Sequence, residues 1–513
     1  MRAAVFLVMV ALIVGMAGCL PAVRYNLTIS STEGGQVTTP GEGTFAYDEG
    51  TVVDLIAQAE EGYQFVKWTG SVSAIVDVHD ATTSISMNGN YSITANFATV
   101  AEIWDWSDLD AIRNNLTGAY ILMNDLDSTT AGYEELAGPT ANVGKGWQAI
   151  GTQDNPFTGV FDGQGHEIRE LFVNRPTEES FAGLFGYVDV GGSIKNLVVI
   201  NVSVTGNIGV GGLVGMNFGT VSDCYSTGSI SGYDVVGGLV GLNVGIISYC
   251  NCTGSVTGTG SAREVTGVGG LVGMNYGYIT HCHSTGIAAG EGCVGGLMGF
   301  NYFGTVSDSY SSASATGNSG IGGLVGTNGL GTVSNSYATG SVTGNLSVGG
   351  LMGGNAYGNV VNSYATGSVT GNEYVGGLVG GNVYNSTVSN SYSTGSVTGT
   401  SHVGGLVGWI RDSATVSNSY SAGTVTGDVS VGGLVGLNEG TGPVSNSFWD
   451  TQISGQATSD GGTGKNTTEM QDIATFSGAG WNITAVADSS TRDPAYIWNI
   501  VNNVTYPFLS WQP

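Results

Sequence analysis

Short apolar segments separated by glycine and small polar residues repeat through residues 201–450. The pentapeptide Gly-Gly-Leu-Val/Met-Gly occurs nine times there, with a mean period of about 27.6 residues. Its leucines are Leu213, Leu239, Leu271, Leu297, Leu324, Leu351, Leu378, Leu406 and Leu434. Between the copies, β-branched residues are interrupted every few positions by Gly, Asn and Ser, a composition typical of strands and turns. The pattern predicts strands, without helical periodicity.

One repeat cannot bury its own apolar side chains, so successive repeats are expected to stack. Val333, Val342, Val348 and Leu351 would then contact their equivalents in the next coil, through parallel strands about 4.8 Å apart. A degenerate tenth copy lies at residues 182–186. We predict an all-β fold, a right-handed parallel β-helix of about ten coils preceded by a small β-grasp-like domain. A β-propeller is the main alternative, but one blade needs about 40 to 45 residues.

The repeated sequence also resembles a known motif. Gly-Gly-Leu-Val-Gly followed by Asn, and then by Val-Ser-Asn-Ser-Tyr-Ala-Thr-Gly-Ser-Val-Thr-Gly, is similar to GLUG repeats over about residues 180–450. That resemblance implies a surface-exposed β-helical stalk or adhesive module. GLUG repeats occur in bacterial surface adhesins, hemagglutinin-like proteins and non-catalytic parts of IgA-cleaving metallopeptidases, and the motif carries no catalytic residue.

The charge excludes two classes of partner. Among 513 residues there are 12 Lys and Arg against 39 Asp and Glu, which gives a net charge of −27. Such a chain cannot neutralise a phosphate backbone or an anionic lipid surface. Both are therefore poor partners, and nucleic-acid binding is excluded.

The first residues indicate export. Arg2 is followed by an uncharged apolar run too short to span a bilayer, and small residues then precede Cys19. Residues 1–18 are predicted to be a signal peptide, and the site resembles a lipobox, which implies lipidation of Cys19. An ordinary signal peptide with an incidental Cys19 is the alternative. The expected location is extracytoplasmic and surface exposed, with the protein anchored through its lipid to the bilayer of the cell membrane or outer membrane.

Non-repetitive segments flank the repeats. Residues 19–98 resemble the divergent internalin-type B-repeat, in which Tyr63 and Trp68 are expected to be core aromatics. Residues 99–200 are predicted to form an N-terminal cap, with a short helix capped by Ser107, and the first irregular coils. Residues 201–450 are predicted to form the GLUG-repeat β-helix. Residues 451–513, with an aromatic tail, are predicted to cap the other end.

The sequence offers little catalytic chemistry. His166-Glu167-Ile168-Arg169-Glu170 lacks the second histidine of a zinc peptidase motif, and its neighbours disfavour a helix. Asp125, Asp127 and Asp162 could hold calcium, but isolated loop aspartates are usually turn residues. Nine acidic and two basic residues within 201–446 occupy different coils and coil positions, so stacking is not expected to bring them together. We predict no catalytic residue, no cofactor and no metal site.

Five cysteines follow Cys19, namely Cys224, Cys250, Cys252, Cys282 and Cys293. Cys224, Cys250 and Cys282 occupy equivalent repeat positions and should form a column of buried small side chains. A disulfide within that column is the alternative. His281 and His283 should point away from Cys282, which disfavours a metal site.

Two further columns are polar or aromatic. The aromatic column contains Tyr225, Tyr310, Tyr337, Tyr364, Tyr392, Tyr420 and Phe448. The amide column contains Asn217, Asn243, Asn275, Asn301, Asn328, Asn355, Asn382 and Asn438. Both are expected to be ladders that stabilise the coils. If the tyrosines face solvent, their rings also suit glycan binding, and Tyr310, Tyr337, Tyr364, Tyr392 and Tyr420 are the candidate ligand-binding residues.

These observations favour a non-enzymatic surface adhesin or glycan-binding rod, with surface glycans or other cell-surface molecules as partners. A β-helix polysaccharide lyase or hydrolase is the alternative from a different class. A passive surface stalk is the third possibility.

Overall fold

A computed structural model describes residues 23–177, 181–260 and 267–512 of the chain. The predicted signal peptide (residues 1–18) and Cys19 lie outside these residues. The chain divides into two compact units, one up to Ala101 and one from Glu102 onward.

The N-terminal unit is a small β domain. Its strands are Arg24–Ser31, Gly35–Thr39, Gly43–Asp48, Val52–Ala59, Tyr63–Gly70, Thr82–Ser86 and Tyr91–Ile103. Trp68 is buried as predicted, and its indole N–H donates to the Asp80 carbonyl (3.1 Å). Tyr63 is partly buried and packs against the same core, which includes Leu27, Leu55 and Ile85.

The second unit is a parallel β-solenoid with four sheets, numbered in the order in which each coil contributes to them. Sheet 1 contains Ile208–Gly211, Asp234–Gly237, Val268–Gly269, Gly292–Gly295, Ser319–Gly322, Leu346–Gly349, Glu373–Gly376, Ser401–Gly404 and Val429–Gly432. Sheet 2 contains Phe185–Val188, Val214–Asn217, Val240–Asn243, Val272–Asn275, Met298–Tyr302, Val325–Gly329, Met352–Ala356, Val379–Val383, Val407–Ile410 and Val435–Asn438.

Sheets 3 and 4 complete each coil. Sheet 3 contains Ala119–Leu122, Val160–Asp162, Ser193–Lys195, Thr220–Ser222, Ile246–Ser248, Tyr278–Thr280, Thr305–Ser307, Thr332–Ser334, Asn359–Val361, Thr387–Ser389, Thr415–Ser417 and Val444–Ser445. Sheet 4 contains Glu167–Arg169, Phe172–Asn174, Val198–Thr205, Tyr225–Gly232, Asn251–Gly258, His283–Ala289, Tyr310–Ser311, Ser314–Thr316, Tyr337–Ala338, Val342–Thr343, Tyr364–Ala365, Val369–Thr370, Tyr392–Ser393, Val397–Thr398, Tyr420–Ser421, Val425–Thr426, Phe448–Asp450 and Thr463–Lys465.

Stacking of equivalent residues confirms the predicted β-solenoid. The backbone N–H of Leu324 donates to the Leu351 carbonyl, and that of Leu351 to the Leu378 carbonyl, each at 2.9 Å. Val333 pairs with Val360, and Val342 with Val369, so the valines also form columns. These side chains share one continuous buried core. A period near 27 residues therefore corresponds to one coil, as the sequence predicted, and not to a propeller blade.

A short helix, Trp106–Ala111, followed by the 3-10 turn Ile112–Asn114, covers the first coils. Trp106, Leu109 and Ile112 are buried in the solenoid core. The predicted N-cap, Ser107, is wrong. Asp105 caps the helix, because its carboxylate accepts from the N–H groups of Ser107 and Asp108 at 2.8 and 2.9 Å.

Residues beyond 450 do more than close the far end. The Ser459 hydroxyl accepts hydrogen bonds from the N–H groups of Leu434 and Val435 at the last coil. The remaining tail folds back along the side of the solenoid. Its elements are the helices Thr451–Ser454, Thr467–Met470 and Ile473–Ser477 and the strands Ile483–Ala485, Trp498–Ile500 and Phe508–Leu509. Two further one-turn helices, Tyr133–Leu136 and Ala141–Gly144, precede the regular coils.

Candidate functional site

The predicted aromatic column is present on sheet 4. His283, Tyr310, Tyr337, Tyr364, Tyr392 and Tyr420 stack in succession, with ring centroids 4.8 to 5.0 Å apart and ring planes within 5° of parallel. Register fixes this geometry, because each tyrosine pairs with its equivalent across a parallel ladder. The column begins at His283, since Asn251 occupies the same position one coil earlier.

Three of the five candidate tyrosines do not face solvent. Tyr364 and Tyr392 are 6% exposed and Tyr420 is 1% exposed, in a core shared with the C-terminal tail. The Tyr420 hydroxyl donates to the Pro507 carbonyl (2.6 Å), and the Gln512 amide donates to the Tyr392 hydroxyl (2.6 Å). The prediction that these three bind a ligand is therefore wrong, because the tail already occupies their side of the column.

Burial of these tyrosines predicts alkaline destabilisation. It raises the pKa of Tyr364 to about 12, and it also raises the pKa of Tyr392 and Tyr420. An unfolded chain releases the same phenolic protons near pH 10, so the stabilisation is fully present below about pH 10 and is lost as pH rises through the folded-state pKa values. Tyrosinate absorbance and circular dichroism, followed together in one titration, test this. Complete tyrosine ionisation near pH 10 in a chain that keeps its native dichroism would contradict it.

Tyr310 and Tyr337 are the part of the column that stays half-exposed. The Trp511 ring packs near the Tyr337 ring (6.3 Å between centroids) and marks the edge of the covered region. His283 stacks on the other side of Tyr310, and burial lowers the pKa of His283. The rings of Tyr310 and Tyr337, extended by His283, therefore remain partly accessible to solvent on sheet 4.

The amide column forms a buried hydrogen-bonded ladder. Each side-chain amide from Asn217 to Asn355 donates to the carboxamide oxygen of the next asparagine, at 2.8 to 2.9 Å. Ile410 replaces asparagine in the following coil and ends the ladder. Because these amides are buried and mutually satisfied, the column stabilises the coils and offers no ligand site.

The cysteine column is also structural. Cys224, Cys250 and Cys282 are buried free thiols, and each donates to the carbonyl two residues earlier, at 3.1 to 3.2 Å. Ser309 makes the same hydrogen bond to Ser307 in the next coil (2.7 Å), so serine and cysteine are interchangeable here. Burial raises the pKa of the Cys250 and Cys252 thiols, to about 12 in Cys252, which keeps them protonated. Cys252 is a buried free thiol in the strand Asn251–Gly258 of sheet 4. Cys293 is a partly buried free thiol in the strand Gly292–Gly295 of sheet 1.

The residues considered for catalysis or metal binding have local structural roles. His166 approaches Asp125 (3.1 Å) at the start of the strand Glu167–Arg169, which is not helical. Asp127 accepts from Thr129 and Thr130 within its own turn, and Asp162 from Gln164. Over residues 23–177, 181–260 and 267–512, no group of three His, Cys, Asp or Glu side chains is arranged to hold a metal ion. In the same ranges, helices are all too short or too polar to cross a membrane.

The expectation that stacking does not bring charged residues of different coils together is wrong at one place. Glu373, Glu439 and Arg411 lie on different coils but converge around Tyr374. Burial raises the pKa of Tyr374, the two glutamates raise it further, and Arg411 lowers it. Trp409 stacks on Tyr374 in the same cluster. Sequence reasoning missed the cluster because these residues differ in both coil and coil position. The sequence did contain one signal of this cluster: Trp409 occupies a repeat position at which the two preceding coils carry glycine.

Comparison with known families agrees with this architecture. Residues 25–101 match the divergent InlB B-repeat domain. Five segments of the solenoid match the GLUG motif, namely residues 206–231, 317–343, 344–370, 371–398 and 399–426. The chain thus combines an N-terminal B-repeat domain with a GLUG-repeat β-solenoid.

Two curated relatives share part of the sequence. Halomucin of Haloquadratum walsbyi is 33% identical over 226 residues, which is 42% of this chain and 2% of halomucin. A protein of Evansella cellulosilytica, provisionally named a Gly-rich membrane protein, is 37% identical over 120 residues, 22% of this chain and 13% of that protein. The chain therefore matches only a small fraction of either relative.

Two solved structures resemble the chain weakly. One, from Bacteroides ovatus, is provisionally named an immunoglobulin A1 protease; it covers 81% of this chain and 93% of its own, with 17% identity and a TM-score of 0.35. The other, named IgA1 Protease, covers 67% of this chain and 25% of its own, with 17% identity and a TM-score of 0.32. At these values neither structure assigns an activity to the chain.

Proposed function

We propose that the chain is a non-enzymatic cell-surface protein that binds glycans on the side of its solenoid. The observation that carries this proposal is the half-exposed stack of Tyr310 and Tyr337, extended by His283. Parallel rings on a rigid ladder present flat apolar faces of the kind that pack against the C–H face of a sugar ring.

The neighbouring surface supports an uncharged, hydroxyl-rich ligand. Beside the aromatic column, sheet 4 presents two in-register columns of hydroxyl side chains. They are Ser314, Ser341, Ser368, Ser396 and Thr424, and Thr316, Thr343, Thr370, Thr398 and Thr426. All are exposed except Ser314, which is half-exposed. Hydroxyl groups both donate and accept, so they can bond sugar hydroxyls without attracting ions.

Surface location is part of the proposal. The names of the two relatives, a mucin and a membrane protein, support it, as does the export pattern that ends at Cys19. Lipidation of Cys19 would anchor the protein to the bilayer. In a bacterial host the unmodified chain should then sediment with membranes and Cys19→Ser should not; equal partitioning of the two would remove the anchor from the proposal.

Removing the two half-exposed rings, Tyr310 and Tyr337, is expected to weaken glycan binding at least fivefold. Each ring contributes about 0.5–1.5 kcal/mol of stacking, and the double variant Tyr310→Ser/Tyr337→Ser removes two. Asn251 shows that a small polar residue fits this register. Purified full chain and variant would be compared on a glycan array and titrated with the glycans bound.

The matched control is Tyr357→Ser/Tyr384→Ser. These rings are also stacked and exposed, with centroids 4.8 Å apart, but they lie elsewhere on the coils. The control should retain binding. Equal loss in both variants, or no binding of the unmodified chain to any glycan, would overturn the proposal.

A further inference from the structure

The adjacent coils of residues 371–398 and 399–426 depart from the other copies at positions that meet in space. On sheet 2, Trp409 follows Gly354 and Gly381 in one column. On sheet 1, His402 follows Tyr374. In a repeat whose copies are otherwise nearly identical, these changes gather on one side of the solenoid.

The changed residues form one aromatic cluster. The rings of Tyr374 and Trp409 stack with centroids 4.5 Å apart and planes 18° apart, and His402 lies 5.1 Å from Tyr374. Tyr374 and Trp409 are both half-exposed. The cluster therefore presents aromatic surface to solvent on a rigid ladder.

Polar groups surround these rings. The Trp409 indole N–H donates to the Glu439 carboxylate (3.1 Å), and the Arg411 guanidinium carbon lies 5.5 Å from the centre of the indole ring. The Glu373 carboxylate lies 3.8 Å from His402 Nδ1. Carboxylates and a guanidinium beside an aromatic face can accept from and donate to ligand hydroxyls.

The glycines beside the cluster are not required by packing. A Cβ at Gly354 would lie 3.7 Å from its nearest neighbour, Thr327, and a Cβ at Gly381 would lie 3.8 Å from Ser347 and from Trp409. A Cβ at the adjacent Gly353 would instead lie 2.4 Å from the backbone of another coil. An added Cβ would thus make ordinary van der Waals contact with a hydroxyl-bearing side chain, Thr327 or Ser347, so glycine is not needed at either position.

We propose that the Tyr374–Trp409 cluster binds a neutral hexopyranose unit of a glycan. The ring pair packs against the C–H face of the sugar, while Glu373, Glu439 and Arg411 bond its hydroxyls. Two glutamates against one arginine make the surroundings negative, which disfavours uronic and sialic acids. This inference rests on the proposed glycan binding and adds a second site with a stated ligand class.

Saturation-transfer NMR on the full chain tests this site. The probes are methyl glucoside, methyl galactoside, methyl mannoside and glucuronic acid, each alone. All measurements use the Tyr310→Ser/Tyr337→Ser background, so that the first proposed site does not contribute. We expect transfer to at least one neutral glycoside and none to glucuronic acid.

Adding Trp409→Leu should reduce that transfer at least fivefold. Leu437 occupies the same register in the next coil, so leucine is compatible with the fold. The control is Trp104→Leu, which removes an exposed tryptophan whose indole also donates to a glutamate, Glu102 (3.1 Å). Unchanged transfer with Trp409→Leu, preferred binding of glucuronic acid, or no transfer in the background would overturn the inference. The glycan array with the unmodified chain tests the proposed function independently: binding there with no transfer in this experiment would overturn only the second site.

Discussion

Replacing Gly350 by alanine is expected to lower the free energy of unfolding by about 3 kcal/mol or more, the upper range for overpacking. A Cβ at Gly350 would lie 2.1 Å from the Gly377 carbonyl oxygen of the next coil and 3.0 Å from the Ala365 side chain. Neither neighbour can move freely, because Gly377 is held between the paired strands Glu373–Gly376 and Val379–Val383 and Ala365 is buried in the core. Thermal unfolding followed by circular dichroism measures the effect.

Gly354→Ala is the matched control, four residues along the same coil. A Cβ there would meet nothing nearer than 3.7 Å, so the unfolding midpoint should hardly change. Equal destabilisation by the two substitutions would contradict the close stacking of coils. The contact at Gly350 recurs at Gly296, Gly323 and Gly377, which explains why the second glycine of the pentapeptide is invariant along the chain.

Asn328→Leu is expected to cost about 3–5 kcal/mol. The Asn328 amide donates to Asn355 (2.9 Å) and to the Gly331 carbonyl (3.0 Å), and its oxygen accepts from Asn301 (2.8 Å). Leucine leaves three buried polar groups without these partners, and each unsatisfied group costs about 1–3 kcal/mol. Thermal and denaturant unfolding of the full chain measure this loss.

An exposed amide pair supplies the control. Asn345 donates to Asn318 (2.7 Å) at the surface, where water can replace the lost bond, so Asn345→Leu should change stability little. A small effect at Asn328 would contradict the buried ladder. Ile410 is tolerated because the Asn382 amide donates to the Thr415 carbonyl (3.2 Å), while its oxygen still accepts from Asn355 (2.9 Å).

The sequence was sufficient to predict every feature that depends on periodicity. Identical residues one period apart must occupy identical positions in adjacent coils. This rule predicted the core column that contains Leu351, the asparagine ladder that contains Asn328, and the tyrosine stack. The C-terminal tail has no period, so nothing in the sequence showed that it packs over Tyr392 and Tyr420. The Tyr374–Trp409 contact was not predicted, because Tyr374 lies on sheet 1 of one coil and Trp409 lies on sheet 2 of the next, so the two residues are not equivalent in the repeat.

Distances between spin labels along one column test the solenoid most directly. Ser229 and the outward positions Ser341, Ser368, Ser396 and Thr424 lie in the same register on sheet 4, four to seven coils apart. Labels at Ser229 and each other position in turn should give separations of about 19, 24, 29 and 34 Å, rising by about 4.8 Å per repeat. Distances that level off or shorten with added repeats, as in a closed ring of blades, would contradict the stacked-coil fold.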